Sequence, residues 1–220
     1  MTIDPELQSA HAALVQQFDA VNGAQSNDNN VLASIGSQLA MLKVMLTERD
    51  ILYPQQSDVQ QHKDALVLTR EVLEIGALWS IRVHDSSRFD RNWSPLQPFY
   101  LDLVHALPLS KNYEPIVGLS LLRSLSSNSI ASFHIALESL PMELVRDSPY
   151  IQHPVLLERW LMEGSYSNVW RERENVPLEE YRFFVNILMV TIRHEIASCE
   201  EKAYDTLPLN DVAPLLFIDS

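Results

Sequence analysis

The chain has 220 residues, a formal net charge of −13, one cysteine and five glycines. Sixteen Lys and Arg against 29 Asp and Glu argue against a dedicated nucleic-acid binder, because phosphate contacts need clustered cations; a single cysteine excludes a disulfide framework and a multi-cysteine zinc site. Five glycines leave little for the turns of an all-β fold or for a phosphate-cradling loop, and 46% hydrophobic residues are enough to bury a core, so the chain reads as a soluble helical protein of one domain or two small ones.

Residues 1–18 lack a basic flank, and Asp4, Glu6, Gln8 and His11 interrupt their apolar positions, which is not the pattern of a signal peptide. The apolar runs at 187–190 and 215–218 are far shorter than the ~20 residues that span a bilayer. These features point to cytosol or nucleus.

Apolar residues recur at helical spacing along the chain. The first stripe is Leu7, Leu14, Phe18 and Val21. After a polar loop at 27–30 come Leu32, Ile35, Leu39, Leu42 and Leu46, in steps of three and four that put one stripe on one helix face. Leu68, Val72, Ile75, Trp79 and Val83 form the next, with Ser57 or Asp58 as a cap after the breaker Pro54. Residues 85–98 hold Ser86, Ser87, Asn92, Pro95 and Pro98 and read as a short helix and a loop. A helix at 99–107 follows, stopped by Pro108, then one at 116–125 with Pro115 in its first turn. Ile130, Phe133, Leu137, Leu140 and Leu144 make one stripe. Pro149 and Pro154 frame a turn before a helix at 156–163, with Gly164 placed as its C-terminal cap.

A short helix at 167–174 and Pro177 lead into the longest helix, 178–204. Tyr181, Phe184, Leu188, Ile192, Ile196, Cys199 and Ala203 lie on its main stripe, and Phe183, Ile187 and Val190 add a second face, so it should pack on both sides. Residues 207–209 read as a turn or short extended piece, and Asn210 or Asp211 as the cap of a last helix through 217. The apolar end at 215–218 suggests a fragment. About ten helices joined by short turns fit pairs stacked as an α-solenoid.

No constellation of catalytic groups emerges. His194-Glu195 begins the zinc-protease pattern His-Glu-x-x-His, but position 198 is Ser. Cys199 and His194, five residues apart on one helix, point ~140° apart and cannot meet; Cys199 reads as a small core residue. The seven histidines (His11, His62, His84, His105, His134, His153 and His194) have no ligand spacing. Gly118-Leu119-Ser120 lacks the second glycine of a nucleophile elbow. Glu179-Glu180 and Glu200-Glu201 read as caps and solvated faces, and Arg171 and Arg173 alternate with Glu172 and Glu174 in a mixed-charge turn. Of the four tryptophans, Trp79, Trp93, Trp160 and Trp170, core packing is the default, while Trp170 beside Tyr166 suits a contact anchor.

The stretch 153–220 resembles a known family. Its segments Leu161-Met162-Glu163-Gly164-Ser165-Tyr166, Arg193, Glu195-Ile196-Ala197 and Glu201-Lys202-Ala203-Tyr204 are similar to those of the small PCI-type subunits of the proteasome regulatory-particle lid, the COP9 signalosome and translation initiation factor 3. The proteasomal branch is the more similar. The resemblance implies an all-α fold: a right-handed helical-repeat array (α-solenoid, PCI) over 1–177, leading into a truncated winged-helix module over 178–220. There 195–204 would belong to the first winged-helix helix, 207–209 to a short strand and 211–217 to the second helix, with the wing and tail absent.

The resemblance further implies a non-catalytic assembly subunit of the lid, serving ubiquitin-dependent degradation through protein–protein contacts in cytoplasm and nucleus. The expected partners are other lid subunits and a neighbouring ubiquitin receptor; no cofactor, metal, nucleic acid, membrane or small-molecule substrate is expected. Within the matching segment Glu163, Tyr166, Trp170 and Arg173 are the candidate partner-binding residues, being polar or amphipathic and near turns. Each also has a local reading: Glu163 as a helix-end charge, Tyr166 and Trp170 as packing on the long helix, Arg173 as an ion pair with Glu174.

Overall fold

A computed structural model describes residues 5–24, 29–49, 51–52, 62–104 and 106–217. Every regular element among them is an α-helix, and the chain divides into two compact units, Met1–Ile116 and Val117–Ser220.

The first unit begins with α1 (Pro5–Ala24), α2 (Asn29–Glu48) and α3 (Lys63–Arg82). Their cluster joins Leu7, Leu14 and Phe18 to the whole α2 stripe, Leu32, Ile35, Leu39, Leu42 and Leu46, and to Leu68, Val72, Ile75 and Trp79 of α3. By length and mean hydropathy, 1.2 over 30–48, α2 is apolar enough to cross a bilayer, but its leucine stripe is buried in this cluster. Trp79 locks α3 to α2. Its indole N–H donates to the Leu32 carbonyl at 2.9 Å, and a Cβ at Gly36 would come within 2.6 Å of its ring. The expected caps Ser57 and Asp58, with Pro54, lie outside the described residues, as do 25–28, the side chain of Val21 and His105; α3 starts after His62, which makes no side-chain cap bond.

α3 is buried on its other side too, through Leu66, Leu73, Ala77 and Ile81. Here it meets α4 (Ser86–Leu101), one continuous helix containing Pro95 and Pro98, not the short helix, loop and second helix to 107 that its prolines suggest. An internal proline costs ~3 kcal/mol or more in an isolated helix. Burial of Phe89, Leu96, Phe99 and Tyr100 outweighs that, at roughly 1.5–3 kcal/mol for each large apolar side chain removed from water. The Asp85 side chain caps the helix by accepting from the Arg88 N–H at 3.0 Å.

Asn92 is a buried polar residue within α4, not part of a loop. Its amide donates to the Gly76 carbonyl at 2.9 Å, the Ser80 hydroxyl at 2.8 Å and the Arg88 carbonyl at 2.9 Å, and its oxygen accepts from Lys43. The chain after α4 is tied to α3 by Glu74, 1% exposed. Its carboxylate accepts from Tyr100 (3.0 Å), Ser110 (2.8 Å) and Asn112 (3.2 Å) and lies 3.4 Å from the Arg70 guanidinium. Arg70 in turn donates to the Pro108 carbonyl at 2.6 Å.

The second unit takes in most of α5 (Tyr113–Ser126), then α6 (Ile130–Glu138), α7 (Met142–Asp147), α8 (Pro149–Met162), α9 (Tyr166–Glu172), α10 (Tyr181–Ala203) and α11 (Leu209–Leu215). The stripe expected to run from Ile130 to Leu144 is split between α6 and α7 at Pro141, and Phe133 is the buried residue of α6. Pro149 and Pro154 do not frame a turn: Pro149 opens α8 and Pro154 lies inside it. Pro154 has no N–H for the carbonyl four residues back, that of Tyr150. The Tyr181 hydroxyl of α10 donates to that carbonyl instead, at 3.2 Å. α5 meets this pair through Gly118, where a Cβ would overlap both the Tyr181 hydroxyl and the Tyr150 carbonyl.

Gly164 ends α8 as expected, in the left-handed conformation with φ 70°. The following Ser165 N–H donates back to the Trp160 carbonyl at 2.8 Å, an arrangement in which a Cβ is disfavoured. In α10 the main stripe is buried from Tyr181 through Ile192. Beyond it Ile196 is half-buried and Cys199 is exposed, so Cys199 is no core residue. On the expected second face Phe183 and Ile187 are half-buried and Val190 is 49% exposed. Periodicity defines which face is apolar, not how far along the helix a neighbour covers it. Leu207 and Pro208 are irregular, and no strand forms among the described residues. α11 is preceded by Pro208, so Asn210 and Asp211 lie inside it and do not cap it.

Candidate partner surface

The turn at Gly164 carries the chain from α8 into α9, placing Trp170 at the centre of a contact that the end of the chain completes. Trp170 and Phe217 stack with ring centroids 5.3 Å apart and planes 16° from parallel. The Arg173 guanidinium lies 3.9 Å from the Trp170 ring centroid and that of Arg193 5.4 Å away, both within cation–π range. Arg193, on α10, also donates to the Leu216 carbonyl at 3.0 Å and the Phe217 carbonyl at 3.2 Å. These carbonyls follow the end of α11, where free acceptors and the negative end of the helix dipole favour a cation. Phe217 has φ 52°, a left-handed conformation that the stack and the two Arg193 bonds hold in place.

Of the four residues the sequence suggested, the structure brings Trp170 and Arg173 together. Arg173 also approaches Glu174 at 3.5 Å, as its local reading expected. Glu163 is exposed and within 3.8 Å of Arg159; Tyr166 is half-buried at the first position of α9. Among the described residues neither touches the tryptophan stack through a ring, a hydrogen bond or an ion pair. Arg193 and Phe217 are the members that pattern reading missed. Both sit far from Trp170 in sequence, and nothing in local spacing links them.

His153 of α8 is buried, 7% exposed. Its ring meets the Tyr181 ring edge-on at 6.0 Å, and both ring nitrogens lack a hydrogen-bond partner among the described residues. Burial holds its pKa below the usual histidine value, and the charge of Glu172 partly opposes this. A histidine with a depressed folded pKa contributes stability that is present above its unfolded value and lost as pH falls through the folded one. Urea midpoints measured at pH 7.5 and 5.0 should therefore drop more in the wild type than in His153→Leu. Equal drops would show that His153 does not carry the acid sensitivity.

The arrangement offers an aromatic and cationic surface, not a set of reacting groups. His194 and Glu195 are exposed, and Glu195 accepts from Asn128 at 3.3 Å. Among the described residues no three or more His, Cys, Asp or Glu are placed to hold a metal ion together.

Residues 111–220 match the family described as CSN8/PSMD8/EIF3K. Over 219 residues the chain is 36% identical to the 26S proteasome non-ATPase regulatory subunit 8 homolog A of Arabidopsis thaliana, covering 99% of this chain and 79% of that protein. It is 32% identical over 200 residues to the 26S proteasome regulatory subunit RPN12 of Saccharomyces cerevisiae, covering 88% and 72%. It is 30% identical over 200 residues to the 26S proteasome non-ATPase regulatory subunit 8 of Caenorhabditis elegans, covering 91% and 78%.

Proposed function

Because the chain belongs to the CSN8/PSMD8/EIF3K family, we propose that it is a non-catalytic structural subunit of the 26S proteasome regulatory particle, within its lid. In this reading it supports ubiquitin-dependent protein degradation by holding other subunits in place. The observation that carries the reading is the similarity to a proteasome regulatory subunit along 99% of the chain. The all-helical build supports it, because stacked helices offer extended faces to protein partners. The relatives' names favour the proteasome over the signalosome and the initiation factor.

The partners are other lid subunits and a neighbouring ubiquitin receptor, and the setting is cytoplasm and nucleus. The contact surface includes Glu163, Tyr166, Trp170 and Arg173. A winged-helix module over 178–220, after a helical-repeat array over 1–177, belongs to the same reading; α10 and α11 supply two of its helices.

Affinity purification of the tagged chain from cells tests it. Regulatory-particle subunits are expected with the wild type. Trp170→Ala should lower their recovery by about tenfold, the scale of an aromatic anchor, and Glu163→Lys, on an exposed side chain, should lower it without disturbing the fold. Recovery of signalosome or initiation-factor subunits alone would move the chain to another branch. Undiminished recovery with both variants would remove these residues from the interface.

A further inference from the structure

The first unit has a surface that the proposed function does not use, and the inference from it stands independently of that reading. Two adjoining grooves flank Trp79. One, of about 290 Å³, runs past Leu32, Ala33 and Val83 with Arg82 on its margin. The other, of about 350 Å³, is lined by Gly36, Leu39, Ala40, Lys43 and Arg91. Trp79 and Arg88 belong to both.

Two properties set this seam apart. The first is charge. Four of the chain's sixteen Lys and Arg, namely Lys43, Arg82, Arg88 and Arg91, line it, on a protein of net charge −13. Lys43 donates to the Asn92 side chain, and Arg91 to the Ser87 carbonyl at 3.3 Å. Neither has a carboxylate within ion-pair distance among the described residues. Arg88 lies 5.2 Å from the Trp79 ring centroid and pairs with Asp85 at 2.9 Å. Lys43 is held below the usual lysine pKa by burial and by the positive charge of Arg91, so an added anion would relieve repulsion between them.

The second property is the wall. Ala33 and Ala40, both small and exposed, lie along one face of α2, and Val44 continues that face with 58% exposure, while the Trp79 ring covers Gly36 between them. The indole N–H bond to Leu32 fixes the Trp79 ring in this seam.

We propose that the seam between α2 and the start of α4 docks an acidic peptide segment of a partner protein. Its carboxylates meet Lys43, Arg88 and Arg91, and an apolar side chain lies against Ala33, Ala40 and Val44. Charge complementarity selects the class of occupant. A nucleic acid fits less well. It presents phosphates to the small apolar wall, and its extended charge meets the net negative charge of the chain.

The test is fluorescence anisotropy of the full chain with a fluorescein-labelled twelve-residue peptide of Glu and Leu, its Gln and Leu counterpart, and a labelled oligothymidine of equal length. The Glu peptide should bind in the range of tens of micromolar at low salt and weaken as salt rises. Arg91→Glu, at an exposed position, should weaken it by about tenfold, and Lys43→Gln should act in the same direction. Failure of the Glu peptide to bind, equal binding of the Gln peptide, or unchanged affinity in Arg91→Glu would each overturn the proposal. Tighter binding of the oligothymidine would overturn it in favour of a nucleic acid.

Discussion

Glu74→Ala should destabilise the first unit by about 3–5 kcal/mol, the usual result of removing one partner of a buried ion pair. Arg70 is 6% exposed and Glu74 1% exposed, so the guanidinium left behind has little water to turn to. The substitution also strips an acceptor from Tyr100, Ser110 and Asn112; of these donors Tyr100 is buried, which places the loss toward the upper end of that range. Burial raises the Glu74 pKa, while Ser110, Tyr100, Arg70 and Asn112 pull it back. The partners thus offset part of the cost of desolvation, and the net shift stays upward. Glu74→Gln retains an acceptor oxygen and should lose less than Glu74→Ala. Arg70→Met combined with Glu74→Leu should recover the part of the loss that comes from the stranded guanidinium, because an apolar pair replaces both charges, while Tyr100, Ser110 and Asn112 still lack their acceptor. Urea unfolding of the three variants checks the order. Equal losses in all three would show that packing, not the charge network, sets the stability there.

Gly118→Ala should cost about 3 kcal/mol or more, combining overpacking of a tight core with loss of a buried hydrogen bond. The added methyl would occupy the space of the Tyr181 hydroxyl and the Tyr150 carbonyl. Tyr181 is fully buried and cannot swing into solvent. If it moves, the Tyr150 carbonyl loses the donor that stands in for the N–H missing at Pro154. Tyr181→Phe removes the hydroxyl and should cost about 1–2 kcal/mol by itself, through the stranded carbonyl. Pairing it with Gly118→Ala should relieve part of the clash, so the double variant should lose less than the two single losses added. Thermal melts of the four proteins complete the cycle. Strict additivity would mean that the methyl at 118 and the hydroxyl of 181 do not compete for the same space.

Local spacing in the sequence was enough to identify the helix faces. Leu32, Ile35, Leu39, Leu42 and Leu46 form one buried stripe as their three- and four-residue steps require. The long helix was expected at 178–204 and spans Tyr181–Ala203, and Gly164 ends α8 with the positive φ that its type allows. Each of these depends on residues within a turn or two of one another. The family could also be recognised from a contiguous stretch, because its signature is local in sequence.

The tertiary structure decided what depends on distant partners. Pro95, Pro98 and Pro154 read as breakers, yet sit inside helices; burial of neighbouring aromatics and a replacement donor on another helix offset a cost that the sequence states only locally. Arg70, Glu74 and Asn92 are buried, because α3 and α4 cover polar positions with partners as far as 49 residues away in sequence. Trp170 stood out in the sequence as a candidate contact residue, but its stack with Phe217 and the Arg193 bonds beside it did not. A helical period specifies which side of a helix is apolar; which neighbour covers that side, and how far along, is fixed only when the helices pack.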